Sequence, residues 1–108
     1  PPSPICWAGI YHPGMAKNYL TAISLYEKMF LQAGRPTLGL LFYRDEWIWD
    51  DLHYQKAFIK EAERQGLNVI AVFTNGLPDP KLGMPTIREV FEKYFMPKGL
   101  WLVSSCFL

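Results

Sequence analysis

The residues best suited to chemistry in this chain fall in three short stretches. Gly9-Ile10-Tyr11-His12-Pro13-Gly14 couples an apolar run to a histidine fixed in front of a proline. Tyr43-Arg44-Asp45-Glu46-Trp47-Ile48-Trp49-Asp50-Asp51 ends a second apolar run in an arginine and four acids interleaved with tryptophans. Asn75-Gly76-Leu77 turns the chain after a third. A histidine or carboxylate can act as a base or as a ligand to a cation, and tryptophan or tyrosine can hold the face of a planar ligand. His12, Tyr43, Arg44, Glu46, Trp47 and Asn75 are therefore the candidate site residues.

Each has a plainer reading beside it. Arg44 equally well pairs with Asp45, Asp50 or Asp51 and orders its own loop. Trp47 and Trp49 equally well pack against a neighbouring domain. His53 falls inside an expected helix and reads as a surface histidine. His12, His53, Asp45 and Glu46 have metal-binding side chains but no recurring ligand spacing. No Ser/His/Asp or Cys/His grouping is legible, so no catalytic residue and no metal site can be named.

The elements that must position these residues are clearer. Ile5 to Tyr11 reads as a short buried strand in a proline-rich leader, residues 1–17, which holds four of the nine prolines. Tyr19, Ile23, Tyr26, Phe30 and Ala33 recur at steps of three and four and predict a helix over 18–33, with Gly34 beyond it. Pro36 forbids more helix and launches Thr37 to Tyr43, an apolar run of the kind covered on both faces in a parallel sheet. Asp50 and Asp51 favour the start of a second helix, whose apolar face is Tyr54, Phe58, Ile59 and Ala62 and whose end is Gly66. Asn68 to Phe73 is the next strand. Thr86 and Glu89 form a capping box before a third helix, and Gly99 to Leu108 reads as a last strand.

Strand–helix–strand–helix–strand predicts parallel strands joined by right-handed crossovers. The expected fold is three-layer α/β, a parallel sheet with flanking helices: a flavodoxin-like half, preceded by a helix. Residues 18–108 would form this partial subdomain, cut from a longer chain. Leu40, Leu41, Phe42, Val69, Ile70, Val72, Leu102 and Val103 are its expected core.

Composition narrows the function. The chain has 108 residues, half of them apolar, which suits one domain rather than disorder. A net charge of +1 with mixed signs leaves no basic stripe for nucleic acid. No apolar run is long enough to span a membrane. Cys6 and Cys106 stand in no metal spacing and read as two reduced thiols. In open α/β sheets ligands bind beyond the carboxyl ends of the strands. There, Arg44 to Asp51 has no glycine, serine or threonine to cradle a phosphate, so a flavin site is not expected. A receiver domain would need acids and a lysine at other strand ends, where Thr74 and Ser104 stand.

The ordered set of motifs resembles the CobN/magnesium chelatase large-subunit family. "GIYHPG", an aromatic-rich helix ending "YEKMFLQAGRP", "LGLLFYR" and "EAERQGLNVIAVFTNGL" follow one another as in that family and cover nearly the whole chain. The Phe-Tyr-Arg ending is closer to the cobaltochelatase branch than to the magnesium branch. The resemblance implies a fragment of a long cytoplasmic subunit that binds a tetrapyrrole and the incoming cobalt or magnesium ion. Its implied partners are the rest of that subunit and separate AAA+ ATPase subunits using ATP and Mg; no cofactor is expected on the fragment, and neither nucleic acid nor membrane as partner.

His12 and Pro13 match the family's His-Pro, Tyr43 and Arg44 its Tyr-Arg, and Asn75-Gly76-Leu77 its second-strand turn. One departure follows Tyr-Arg. Where the family often has a small residue, a histidine and shortly a glycine, this chain has Asp45, Glu46 and Asp50. The implied function is a wall of the cavity for metal insertion. The alternatives are a docking scaffold in the same subunit or an unrelated small-molecule-binding α/β domain.

Overall fold

A computed structural model describes residues 7–15, 19–75, 85–100 and 104–105. In chain order the elements are β1 (Gly9–Tyr11), a 3-10 turn (Pro13–Met15), α1 (Ile23–Phe30), β2 (Thr37–Tyr43), α2 (Arg44–Ile48), α3 (His53–Arg64), β3 (Asn68–Thr74), α4 (Ile87–Val90) and β4 (Ser104–Ser105). A π-helical turn, Phe91–Phe95, and a 3-10 turn, Met96–Lys98, prolong α4.

The strands form one sheet in the order β1-β3-β2-β4. Along β2 and β3 the pairing is parallel, from Thr37 opposite Asn68 to Tyr43 opposite Thr74. β4 is also parallel to β2, with Ser104 and Ser105 opposite Leu40 and Leu41. Connecting β2 to β3 moves the chain one way across the sheet, and connecting β3 to β4 moves it back. Right-handed crossovers in opposite directions must lie on opposite faces. Accordingly α3 covers one face, with Leu52, Ile59 and Ala62 against Leu40, Phe42, Val69, Ala71 and Phe73. α1 and α4 cover the other, with Tyr26, Val90, Tyr94 and Phe95 against Leu41, Ile70 and Val72.

The expectation of a wholly parallel sheet needs correction at β1. Gly9 to Tyr11 run antiparallel to β3, with Gly9 opposite Phe73 and Tyr11 opposite Ala71. This strand lies on the edge of β3 that β2 leaves open, where an antiparallel ladder completes the pairing. With a strand on each side and helices on each face, all seven residues of β3 are buried.

Two helix expectations also change. α1 begins at Ile23 rather than residue 18, because Leu20 exchanges both backbone hydrogen bonds with Ile10, at 2.7 and 3.1 Å. Residue 20 is thus held extended by the edge of β1. The stretch read as the loop Arg44 to Asp51 begins as a short helix, α2, with Asp45 and Glu46 in its first turn, where the helix dipole favours acids. Asp50 then takes a left-handed conformation, φ 54°, which aspartate tolerates better than most residues.

α1 also ends at Phe30 rather than residue 33, and Tyr54, expected on the apolar face of α3, is exposed while Gln55 is buried there; other sequence signals hold. Gly66, at φ 87°, ends α3 in a Schellman motif, Leu67 N–H donating to Ala62 O and Gly66 N–H to Glu63 O. The Thr86–Glu89 capping box closes with both bonds at 3.1 Å. Leu40, Leu41, Phe42, Val69, Ile70 and Val72 are buried as expected. Leu102, Val103, Cys6 and Cys106 lie outside the described residues.

Candidate functional site

Strand direction separates the candidate residues into two groups. β1 runs against β3, so the chain leaving Tyr11 heads for the amino ends of the parallel strands and delivers His12 there. Tyr43, Arg44, Glu46, Trp47 and Asn75 follow the carboxyl ends of β2 and β3. The structure brings the second group together and leaves His12 at the opposite end of the sheet.

His12 is held on every side. Its Nδ1 accepts the Gly14 N–H at 3.0 Å, which assigns the proton to Nε2, and Nε2 donates to Glu63 Oε2 at 2.9 Å. The ring stacks on Phe30, centroids 4.0 Å apart, and lies tilted against Tyr26. Both glycines of the motif serve close approach. A Cβ at Gly14 would stand 3.2 Å from His12 Nδ1, and one at Gly9 would stand 3.0 Å from the rings of Phe73 and Tyr19.

Neighbouring polar groups at this end are equally engaged. Asn68 donates to Gln32 O at 2.9 Å and accepts the Gln32 N–H at 3.0 Å, fastening the turn before β2. Tyr26 donates its hydroxyl to Val69 O at 2.7 Å. Burial first, and the Glu63 carboxylate second, push the Tyr26 phenol well above its ordinary range. Glu63, Phe30 and Asn68 were not among the sequence candidates. A histidine's partner 51 positions away leaves no local pattern to find.

At the carboxyl end Glu46 is also used internally, Oε2 accepting from Tyr43 N–H at 3.3 Å and from Gln55 Nε2 at 3.1 Å. Arg44 places its guanidinium 4.9 Å from the centre of the Trp7 ring, a cation–π contact. Trp47 lies flat on Phe73, 4.3 Å away and within 5° of parallel, while Tyr19 meets both rings edge-on. These rings form an aromatic shelf over the ends of β2 and β3.

Three polar side-chain atoms near this end of the sheet have no partner. Trp47 Nε1, Thr74 Oγ1 and Asn75 Nδ2 are buried without a hydrogen-bond partner. Thr74 was missed as a candidate, although a lone hydroxyl ending a run of apolar strand residues was a visible signal. Tyr11 Oη and Gln55 Oε1 are likewise buried and unbonded, in the α3 layer. Burial, with Asp50 second, raises the Tyr11 phenol. Among the described residues no three His, Cys, Asp or Glu side chains gather as for a metal, and no helix is long and apolar enough to cross a membrane.

Comparison with known proteins supplies the rest. A sequence model of the CobN/magnesium chelatase family matches residues 1–105. An uncharacterized protein of Methanocaldococcus jannaschii is 31% identical over 108 residues, which is 96% of this chain and 8% of that protein. The chain therefore spans a small part of the length of that relative. With a family match running from the first residue through β4, this chain belongs to the CobN/magnesium chelatase family.

Proposed function

We infer that the chain is a subdomain of the tetrapyrrole-binding large subunit of an ATP-dependent metal chelatase. Cobalt is the ion inserted in this reading, into a corrin precursor during cobalamin biosynthesis, as the Phe-Tyr-Arg ending of β2 suggests. The subunit works in the cytoplasm with AAA+ ATPase partners that consume ATP and Mg. The order β3-β2-β4 is the 2-1-3 order with which flavodoxin-like sheets begin, supporting a doubly wound half closed at one edge by β1.

Within that subunit the chain contributes a wall. The observation that carries this reading is the aromatic shelf of Trp47, Phe73 and Tyr19 at the carboxyl ends of the strands, where α/β sheets take their ligands. Arg44, Tyr43 and Asn75 border it. His12, with both ring nitrogens bonded inside the domain, and Glu46, whose Oε2 accepts two bonds there, favour a scaffold role for themselves.

A titration with a corrin precursor and a porphyrin, read by Soret shift, tests the proposal. Saturable binding that Trp47→Leu weakens and His12→Ala leaves unchanged supports the wall at the carboxyl end. Binding weakened only by His12→Ala moves the site to the other end. No binding by a folded chain leaves the docking scaffold as the function.

A further inference from the structure

A tryptophan left in solvent is uncommon, because its ring keeps in water apolar area that folding would otherwise bury. Trp49 is 79% exposed, and no described residue makes a ring contact or side-chain hydrogen bond with its indole. The neighbouring residues of the same short helix are spent on the domain. Trp47 lies on Phe73, and Glu46 accepts from Tyr43 N–H and Gln55 Nε2. α2 is thus anchored along one face and bare along the other.

The bare face has a defined chemistry. Trp49 N–H donates to Asp45 O at 3.0 Å, closing a helical turn that sets side chains 45 and 49 next to each other. Asp45 is exposed, and its carboxylate has no partner among the described residues. Asp50 and Asp51, which follow the ring, are exposed as well. Of these three acids only Asp50 meets a cation, Lys56 at 3.8 Å. The ring therefore stands between carboxylates on both sides along the chain.

Its setting is fixed before any partner arrives. Asp51 N–H donates to Glu46 O at 2.9 Å and Asp50 N–H to Trp47 O at 3.3 Å, a Schellman closure with Asp50 in the left-handed position. Leu52, the next residue, is buried. Little ordering is left for a partner to impose, which favours tight docking. The acids repel an anionic ligand, the carboxylate rim of a tetrapyrrole included, while the indole face attracts a cation. Guanidinium suits the place better than ammonium, since it stacks flat on the ring and its forked N–H groups can reach a carboxylate.

We propose that Trp49 and Asp45, with Asp51 at the rim, are a docking point for an arginine from another region of the same large subunit. The 31%-identical relative is matched over 8% of its length, so most of what surrounds such a domain there is its own polypeptide. The proposal rests on the large-subunit reading and not on tetrapyrrole binding.

Hydroxyl-radical footprinting of the full-length subunit tests it, with the oxidation rate of Trp49 read by mass spectrometry against a peptide of residues 45–53. Trp49 in the subunit is expected to oxidise about tenfold more slowly than in the peptide. Asp45→Asn should return most of that reactivity, and Asp45→Glu should keep the protection. Oxidation as fast as in the peptide overturns the docking point. Protection that survives Asp45→Asn combined with Asp51→Asn means an apolar cover and overturns the arginine. Carbodiimide cross-linking of Asp45 to a lysine outside these 108 residues overturns it too, because guanidinium does not couple. Protection that fades on dilution belongs to a second copy and overturns the source within the subunit. No porphyrin enters the footprint, so its failure and that of the tetrapyrrole wall show separately.

Discussion

The two ends of this sheet are built on opposite plans. At the amino end His12 uses both ring nitrogens, Asn68 uses both ends of its amide, and Tyr26 reaches a strand carbonyl. At the carboxyl end three buried polar atoms stand without partners, and Trp47 stacks on Phe73. The difference teaches how to weigh a suggestive residue. A histidine whose bonds are all answered within the fold has nothing left for a ligand. An indole N–H left unanswered has been placed at a cost, and that cost points to function.

The sharpest way to break the comparison is to remove the shelf's floor. Phe73→Ala deletes a fully buried ring that carries Trp47 and Tyr19, and should cost about 3–5 kcal/mol in denaturant unfolding. Tryptophan emission should move to the red at the same time, as Trp47 loses its stack. Retained stability would show that the shelf does not rest on the strand.

At the other end, His12→Ala removes a ring stack, a bond to Glu63 and the acceptor for Gly14 N–H. It should destabilise by roughly 1–3 kcal/mol, with ligand titrations unaltered. Unchanged thermal melts combined with lost binding would reverse the roles assigned to the two ends.

Tyr26→Phe is a finer probe, expected to cost about 1 kcal/mol through the bond to Val69 O. It also has a pH signature. The folded phenol is held above its ordinary value of 10.0, so its share of the stability is complete below that value and is lost as pH rises beyond it. Wild type should therefore weaken in alkaline melts and Tyr26→Phe should weaken less; parallel alkaline limbs would remove Tyr26 as the cause.

The smallest effect belongs to Trp49, 79% exposed two residues from Trp47. Trp49→Ser should move stability by no more than about 0.5 kcal/mol. A larger loss would mean that the shelf extends along α2.

What could be read from the sequence was what is local. Pro36, the apolar runs of β2 and β3, Gly66 and the Thr86–Glu89 box each act within a few residues of themselves, and the elements they announce are present. Six core positions followed from the same runs. The misreadings of α1 and β1 arose from contacts between distant segments, whereas α2 is a short local helix read as loop. Leu20 is kept out of α1 by Ile10, and β1 takes its direction from an edge that exists only once β3 is in place. For the site, residue types chose Trp47, Arg44 and Asn75 from the carboxyl end, but only geometry could show that Glu46 and His12 are engaged elsewhere and that Thr74 is not.

The antiparallel seating of β1 also carries a kinetic consequence. β2, α3 and β3 form one continuous crossover, whereas joining His12 to Glu63 closes a span of 51 residues. The entropy of that closure is recovered only after α3 and β3 are in place to receive β1. We expect the His12 end to shut late as the chain folds and to open early as it unfolds. Substitutions there should hasten unfolding and leave the folding rate nearly untouched, so the lifetime of the domain, rather than the speed of its assembly, is set by the short strand that contains "GIY".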